Sequence, residues 1–273
     1  MERTQTFDPR VPVAIFDMKG LVTRSYHSGV DAHPVYDEES GQRVNSAAHG
    51  AANFMERILL PVLKDVAPIN IIVVADGGND LRRNVFPTYK SKRKQKKEEE
   101  TAKAELAQLT LLQEQMTRLL VYLGATAVKV DQREADDVIA ALVGCMGDQY
   151  KTIYTVDGDL IQLVDHDQNT FLVQFDEPKS LYRNNYETVK AGKTYHEIEP
   201  KLVALYKSLI GDTSDEYPGV KGFGPGKWDD LTEVFDTESL YELDRMVATG
   251  DFTDLIAAAK ANPGIKEIGR ASC

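Results

Sequence analysis

Acidic residues follow several apolar runs of this chain, and their spacing indicates a metal site. The runs VPVAIFD, INIIVVAD and TIYTVDGD each read as a buried strand followed directly by aspartate. Nine candidate carboxylates stand in five clusters: Asp17; Asp76; Glu134, Asp136 and Asp137; Asp157 and Asp159; Asp212 and Asp215. Acids gathered at one edge of a sheet repel each other unless cations lie between them. Carboxylate oxygens are the ligands that hard divalent ions prefer, and Mg²⁺ is the ion we expect.

Each cluster taken alone also has a simpler structural explanation. Asp76 precedes Gly77, and Asp-Gly is a common turn signal. The acids from Glu134 to Asp137 are favourable at the N-terminus of a helix because of the helix dipole. Three acids within four residues exceed what capping needs, since their mutual repulsion offsets the gain. The order and spacing of all the clusters together favour the metal site.

The elements that must position these acids predict an α/β fold, in which a mostly parallel central sheet carries helices on both faces. Strands are predicted at Val11–Phe16, Ile69–Ala75, Thr126–Val130 and Thr152–Val156. Helices are predicted at about Ser46–Val66, at about Glu98–Leu123 and from the Glu134 cluster onward. Sites in such sheets form outside the carboxyl ends of the strands, where Asp17, Asp76 and Asp157 fall.

The character of the chain changes near Pro200, so we expect a domain of residues 1–200 and a helical subdomain of residues 201–273. The turn GVKGFGPGKW at Gly219–Trp228 lies between two helix candidates of this subdomain. Its glycines allow the backbone to approach a phosphate closely. The N-terminus of the following helix supplies N–H groups and a positive dipole end.

A basic segment interrupts a chain whose formal net charge is −11. Residues 82–97, RRNVFPTYKSKRKQKK, contain eight basic residues and no acidic one. A local positive segment binds phosphates even in an acidic chain. Tyr89 beside Lys90 suits stacking on an unpaired base while phosphates are held. The alternative reading is a solvated, disordered lysine-rich loop.

Composition excludes several classes of protein. No apolar stretch approaches the roughly 20 residues that span a bilayer, so we expect no membrane association. The two cysteines, Cys145 and Cys273, cannot form a disulfide framework or a zinc-type cluster. The segment MERTQTFDPR lacks the apolar region of a secretory signal. We expect an intracellular, cytoplasmic protein, located in the host cytoplasm if a phage encodes it.

Five motifs in this order resemble the flap-endonuclease-like 5′ nucleases. The chain is most similar to bacteriophage 5′ exonucleases and to the 5′-nuclease domain of bacterial DNA polymerase I. The resemblance runs from about Val13 to about Phe235 and is strongest in EADDVIA (134–140), TVDGDLIQLV (155–164) and LIGDTSDEYPGVKGFG (209–224). The residues RSYH that follow Asp17 and the pair YK that follows Asp76 are similar too.

The resemblance implies a structure-specific 5′ nuclease, either a 5′→3′ exonuclease or a 5′-flap endonuclease, that uses two Mg²⁺ ions, with Mn²⁺ as a substitute. Its substrates would be DNA with a 5′ end, flap or nick, and RNA primers on DNA. Asp17, Asp76 and Asp136, with Glu134, resemble the ligands of one ion. Asp157, Asp159 and Asp215 resemble those of the second, with Asp137 and Asp212 as outer or water-mediated ligands. A K⁺ ion is expected at the turn 219–228.

The resemblance also assigns the basic residues. Lys90 resembles the active-site lysine near the scissile phosphate, and either Arg82 or Arg83 matches the family arginine. Residues 82–115 would form a helical arch for a single-stranded 5′ end, and residues 201–273 a DNA-binding subdomain with a helix–hairpin–helix-type turn. The expected DNA contacts are Arg24, Tyr26, His27, Tyr89, Lys92, Arg93, Lys94, Lys221, Gly222, Gly224 and Lys227.

Two other functions remain open from the residues alone. One is a catalytically weak, structure-specific DNA-binding protein that retains the fold. The other is an arch-containing, RNase H-like enzyme that removes primers. The expectation is a stand-alone, monomeric nuclease, since no polymerase portion follows in the sequence.

Overall fold

The chain divides into two compact units. The computed structural model describes residues 11–28, 35–41, 43–44, 46–65, 70–78, 80–85, 100–165, 167–177, 180–183, 188–191, 194–212 and 216–249. The first unit holds the described residues through Arg183, and the second holds those from Thr188.

The first unit alternates strands and helices. Its strands are Val13–Asp17 (β1), Val35–Tyr36 (β2), Arg43–Val44 (β3), Asn70–Ala75 (β4), Thr126–Lys129 (β5), Lys151–Thr155 (β6), Thr170–Glu177 (β7) and Ser180–Arg183 (β8). Its α-helices are Met18–Ser28 (α1), Ala47–Phe54 (α2), Leu60–Asp65 (α3), Asp80–Val85 (α4), Glu100–Tyr122 (α5) and Ala135–Met146 (α6). A π-helical turn, Met55–Leu59, joins α2 to α3, and a 3₁₀ helix, Gly158–Leu163, follows β6.

A mostly parallel sheet forms the centre of this unit, which confirms the predicted fold class. Its strand order is β5-β4-β1-β6-β7-β8, and only the β7–β8 pair among these is antiparallel. The central strand β1 pairs Phe16 with Val73 on one side and with Tyr154 on the other. The carboxyl ends of β4, β1 and β6 therefore lie side by side at one edge of the sheet.

Helices cover both faces of the sheet. Ala14 and Phe16 point into a core that they share with α1, α2 and α5. Phe16 makes edge-to-face ring contacts with Phe54 and Tyr154 at centroid distances of 6.5 and 5.1 Å. Ile15, which alternates with these residues, is also fully buried, and α6 packs against β1 and β4. Because β1 is apolar on both faces, it reads as a continuous hydrophobic run.

The second unit pairs a small antiparallel ribbon with helices. The ribbon is formed by Thr188–Ala191 (β9) and Thr194–Glu197 (β10). A 3₁₀ turn, Pro200–Leu202, leads into Val203–Ile210 (α7), Pro225–Val234 (α8) and Thr237–Thr249 (α9). Within the described ranges of the whole chain, no helix is long and apolar enough to cross a membrane.

A buried lysine closes the end of β6 that lies away from the acidic edge. Lys151 is fully buried. Its ammonium donates hydrogen bonds to the backbone carbonyls of Gly147, Gln149 and Gln168 at 2.5, 3.1 and 2.8 Å. A single side chain thus satisfies carbonyl groups from the loops that precede β6 and β7.

We expect Lys151→Met to destabilise the protein by about 2–4 kcal/mol, because it leaves buried carbonyl groups without a donor. Urea unfolding followed by circular dichroism measures this change. The matched control is Lys64→Met, since Lys64 is an exposed lysine on α3. Equal stabilities for the two variants would contradict a clamping role for Lys151.

Candidate functional site

Carboxylates from three neighbouring parts of the sheet meet at its carboxyl edge. Asp17 is the last residue of β1, Asp76 directly follows β4, and Asp157 lies two residues after β6. Because β1 lies between β4 and β6, these strands bring the three acids together. The first turn of α6 adds further acids at the same edge, with Glu134 at the N-cap position and Asp136 and Asp137 behind it.

Asp17 is the most deeply placed of the strand-end acids. Its side chain is buried, and its Oδ2 accepts a hydrogen bond of 2.8 Å from the hydroxyl of Thr155. Burial raises the pKa of Asp17 to about 6, and the negative charges of Asp157 and Asp76 add to this rise. Hydrogen bonds from Thr155 and from the backbone of Gly20 partly oppose it. The carboxylate form of Asp17 is therefore unfavourable at this edge without a compensating cation.

Asp136 shows the same effect from the side of α6. Burial raises the pKa of Asp136 to about 7, with further contributions from the charges of Asp157, Asp17 and Glu134. The guanidinium of Arg82 acts in the opposite direction. Acids from different elements thus raise each other's proton affinity, which is the electrostatic signature of a cation site.

Arg82 of α4 pairs with two of the acids at the start of α6. Its guanidinium donates to Glu134 Oε2 at 2.6 Å and to Asp137 Oδ1 at 2.8 Å. The sequence leaves the choice between Arg82 and Arg83 open. The described contacts connect Arg82 to the acidic edge, so the geometry favours Arg82.

Asp76 connects three elements through its two oxygens. Oδ1 accepts a hydrogen bond of 2.9 Å from the backbone N–H of Ala135, and Oδ2 forms an ion pair with the ammonium of Lys19. The next residue, Gly77, packs so closely that a Cβ atom there would lie 1.7 Å from the carbonyl oxygen of Val130. The Asp-Gly pair therefore marks a close approach of two loops and not merely a turn.

Thr155 joins the two halves of the acidic edge. Its hydroxyl donates to Asp17 and accepts a hydrogen bond of 2.9 Å from the backbone N–H of Asp157. Asp157 in turn caps the 3₁₀ helix, because its Oδ1 accepts from the N–H of Asp159 at 3.0 Å. Sequence reasoning missed Thr155 and Lys19, since no spacing rule distinguishes them from ordinary strand and helix residues.

The donor set at this edge fits a hard divalent cation. Its side chains offer carboxylate oxygens, and their mutual repulsion is what such a cation relieves. Within the described residues, no three acidic, histidine or cysteine side chains are arranged so that they could hold a metal ion together. Since Lys19 and Arg82 occupy oxygens of this edge, metal binding requires side chains here to exchange partners.

The expected DNA-contact residues of the first unit lie in the apolar core, on α1 or outside the described residues. Tyr26 is buried in the apolar core, so its ring offers no exposed face to a base. Arg24 and His27 lie on α1, where His27 Nε2 is 3.3 Å from Glu105 Oε1 of α5. The expected contacts of the basic segment lie outside the described residues: Tyr89, Lys90, Lys92, Arg93 and Lys94.

The second unit carries Asp212 and the glycine-rich turn. Asp212 Oδ2 accepts from Lys207 at 2.9 Å, and Asp215 lies outside the described residues. The turn between α7 and α8 contains Gly222 at φ +82°, a conformation that favours glycine.

Gly224 is the N-cap residue of α8, and a lysine lies three residues away from it on either side. Lys221 is exposed in the turn itself. Lys227 lies in the first turn of α8 and pairs with Asp230 at 2.7 Å. The turn thus presents glycine backbone and lysine side chains next to the N-terminus of a helix.

Comparison with known proteins gives consistent matches. A family model described as "5'-3' exonuclease, N-terminal resolvase-like domain" matches residues 12–196. The chain is 34% identical over 159 residues to a 5'-3' exonuclease of Mycoplasma genitalium, covering 58% of this chain and 50% of that protein. It is 31% identical over 226 residues to DNA polymerase I of Treponema pallidum, covering 82% of this chain and 21% of that protein. The chain thus spans half or less of the length of these relatives.

Solved structures show the same fold. A structure of the bacteriophage T5 5'-exonuclease with bound divalent metal ions (zinc) matches with a TM-score of 0.58 at 19% identity, over 82% of this chain and 75% of that one. A bacteriophage T5 flap endonuclease complex with DNA and metal ions matches with a TM-score of 0.51 at 17% identity, over the same shares of the two chains.

Replacing Asp17 by asparagine should stabilise the metal-free protein at pH 8 by up to about 3 kcal/mol. The pKa of Asp17 is raised in the folded state, so its stabilising contribution is complete below about pH 4 and is lost as the pH rises through about 6. The advantage of Asp17→Asn should therefore grow between these values.

Thermal unfolding in EDTA at pH 4, 6 and 8 measures this advantage. The control is Asp131→Asn, which alters an exposed acid. A stability difference between Asp17→Asn and wild type that does not change with pH would contradict the assignment of a destabilised carboxylate.

Proposed function

Because the chain belongs to the 5'-3' exonuclease family, we propose that it is a Mg²⁺-dependent, structure-specific 5′ nuclease that hydrolyses phosphodiesters of DNA. The observation that carries the proposal is the acidic edge, where the pKa values of Asp17 and Asp136 are raised to about 6 and about 7. This edge combines oxygen ligands with the basic side chain of Arg82. This combination suits phosphodiester hydrolysis, because cations beside the anionic phosphate stabilise the charge that develops in the reaction.

We assign the acids to two ions. Asp17, Asp76 and Asp136, with Glu134, would hold one of them. Asp157 and Asp159, with Asp215, would hold the other, and Asp137 and Asp212 would act through water. Two divalent ions supply an activated water and stabilise the leaving oxygen. A bacteriophage T5 flap endonuclease of the same fold forms a complex with DNA and metal ions, which supports a metal site in this chain.

The protein's own groups have separate roles in this proposal. The hydroxyl of Thr155 holds the carboxylate of Asp17 through one hydrogen bond and the backbone of Asp157 through another. Arg82 carries positive charge to the acidic edge, where negative charge develops on the transferring phosphoryl group. Lys90 would add a second cation there. Because the acids serve as ligands, the proposal needs no separate histidine base.

Substrate selection would depend on shape. The basic segment that includes Lys92, Arg93 and Lys94 would hold a single-stranded 5′ end, and Tyr89 would stack on its bases. The turn with Lys221 and Gly222 would bind the phosphates of duplex DNA, with a K⁺ ion at its carbonyl groups. Phosphate contacts of this kind position the nucleic acid and carry little sequence information.

Asp157→Asn should lower single-turnover cleavage of a 5′-flap DNA by about 10³-fold or more, while DNA binding in Ca²⁺ stays within a factor of about 3. Asparagine can still accept the hydrogen bond from the N–H of Asp159, so the 3₁₀ helix keeps its cap. The change thus removes charge with little effect on the fold.

Asp165→Asn provides a matched control. Asp165 also accepts hydrogen bonds from backbone N–H groups, those of Asp167 and Gln168, but it lies outside the acidic edge. Cleavage by this control should stay near wild type. Near-wild-type cleavage by Asp157→Asn would refute the metal-ligand assignment.

A panel of flap, nicked, blunt and RNA-primed substrates, each with Mg²⁺, Mn²⁺ or EDTA, tests the activity itself. We expect cleavage of substrates with a 5′ end or flap, in the presence of either metal and not in EDTA. A wild-type chain that binds flap DNA and cleaves none of the panel would instead be a structure-specific DNA-binding protein.

A further inference from the structure

Lys19 forms an ion pair at the rim of the acidic edge. It lies in the first turn of α1, two residues after Asp17, and its ammonium pairs with Asp76, which follows the neighbouring strand β4. The Lys19 side chain is 56% exposed and that of Asp76 is 25% exposed. An ion pair this accessible to water contributes at most about 1 kcal/mol. A divalent ion can therefore displace Lys19 from Asp76.

The same two residues line a cavity of about 630 Å³ between α1 and α5. Arg118 and Lys129 bring further cations to its wall, and Glu114 brings an acid. The wall thus has three cations, with Lys19, against the two acids Asp76 and Glu114, and a metal ion on Asp76 would leave one acid and increase this excess. A wall of that charge attracts an anionic group such as a phosphate.

We propose that Lys19 changes its partner when the acidic edge is occupied by metal. In the metal-free protein Lys19 neutralises Asp76. When Asp76 ligates a divalent ion, the ammonium of Lys19 turns to a phosphate of the nucleic-acid strand that enters the cavity. This inference rests on the proposed nuclease function and adds a phosphate-binding residue whose contribution depends on metal.

A binding cycle with a fluorescent 5′-flap DNA tests the exchange. In EDTA, Lys19→Met should lose at most about twofold in affinity for this DNA, because Lys19 is then paired with Asp76 and makes no phosphate contact. In Ca²⁺, with the DNA checked for cleavage by gel, the same variant should bind about fivefold more weakly. Its salt dependence should be lower by about one phosphate contact. Equal losses in EDTA and in Ca²⁺ would overturn the proposal.

Titration of the metal ion without DNA gives an independent readout. Because Lys19 competes for Asp76, Lys19→Met should bind Mn²⁺ about two- to fivefold more tightly than wild type, as measured by electron paramagnetic resonance. Unchanged or weaker Mn²⁺ binding would overturn the competition.

Two control variants separate this exchange from simple charge loss. Lys19→Arg keeps the cation and should match wild type in both measurements. Lys129→Met removes a cation of the same cavity, and its effect on DNA affinity should be the same in EDTA and in Ca²⁺. A metal-dependent loss in Lys129→Met that equals the loss in Lys19→Met would overturn the specific role of Lys19.

The outcomes for the function and for Lys19 are distinguishable. Wild-type cleavage in Mg²⁺ tests the nuclease function, whereas the Lys19 cycle measures only binding. An active wild type with a flat cycle for Lys19→Met would leave the function standing and remove the role of Lys19. A wild type that does not bind the flap DNA would overturn both.

Discussion

Repulsion between carboxylates is the constraint on which the rest of the site depends. Burial makes this repulsion stronger, because water no longer screens the charges. Burial, together with the repulsion, raises the pKa values of Asp17 and Asp136. The surrounding groups each answer this repulsion in part. A hydroxyl, a helix N-terminus and two cationic side chains all direct positive charge or a donor toward the acids. These partners offset part of the repulsion between the acids in the folded chain.

The parallel arrangement of the strands explains why these acids cluster. The C-terminal ends of parallel strands lie at the same edge of the sheet, so acids that follow different strands lie close together. The helices on both faces supply the apolar burial that holds the strands in register. The helices packed on both faces of the sheet stabilise the fold, whereas the candidate site lies at its carboxyl edge. Stability and the site therefore depend on different residues.

The sequence predicts the parts of this arrangement that follow from local pattern. Strands β1, β4, β5 and β6 lie within one or two residues of their predicted ends, because long apolar runs mark buried parallel strands. The ribbon β9–β10 and the strands β7 and β8 were not predicted, since short strands depend on pairing partners more than on their own residues. Tyr26 is an expected DNA contact from its motif position alone, and its burial reflects helix packing that a motif does not encode. The roles of Thr155 and Lys19 depend on contacts between residues far apart in the chain.

The two ends of the sheet differ in charge, because Lys151 lies at the start of β6 and the acids lie at the carboxyl edge. At one end Lys151 ties loops together through neutral carbonyl groups. At the other end, carboxylates form ion pairs with Lys19 and Arg82. Sites without shared partners contribute almost additively to stability. Substitutions that strengthen the end of the sheet around Lys151 should therefore raise the unfolding temperature without changing the acidic edge. The same substitutions can accumulate in evolution.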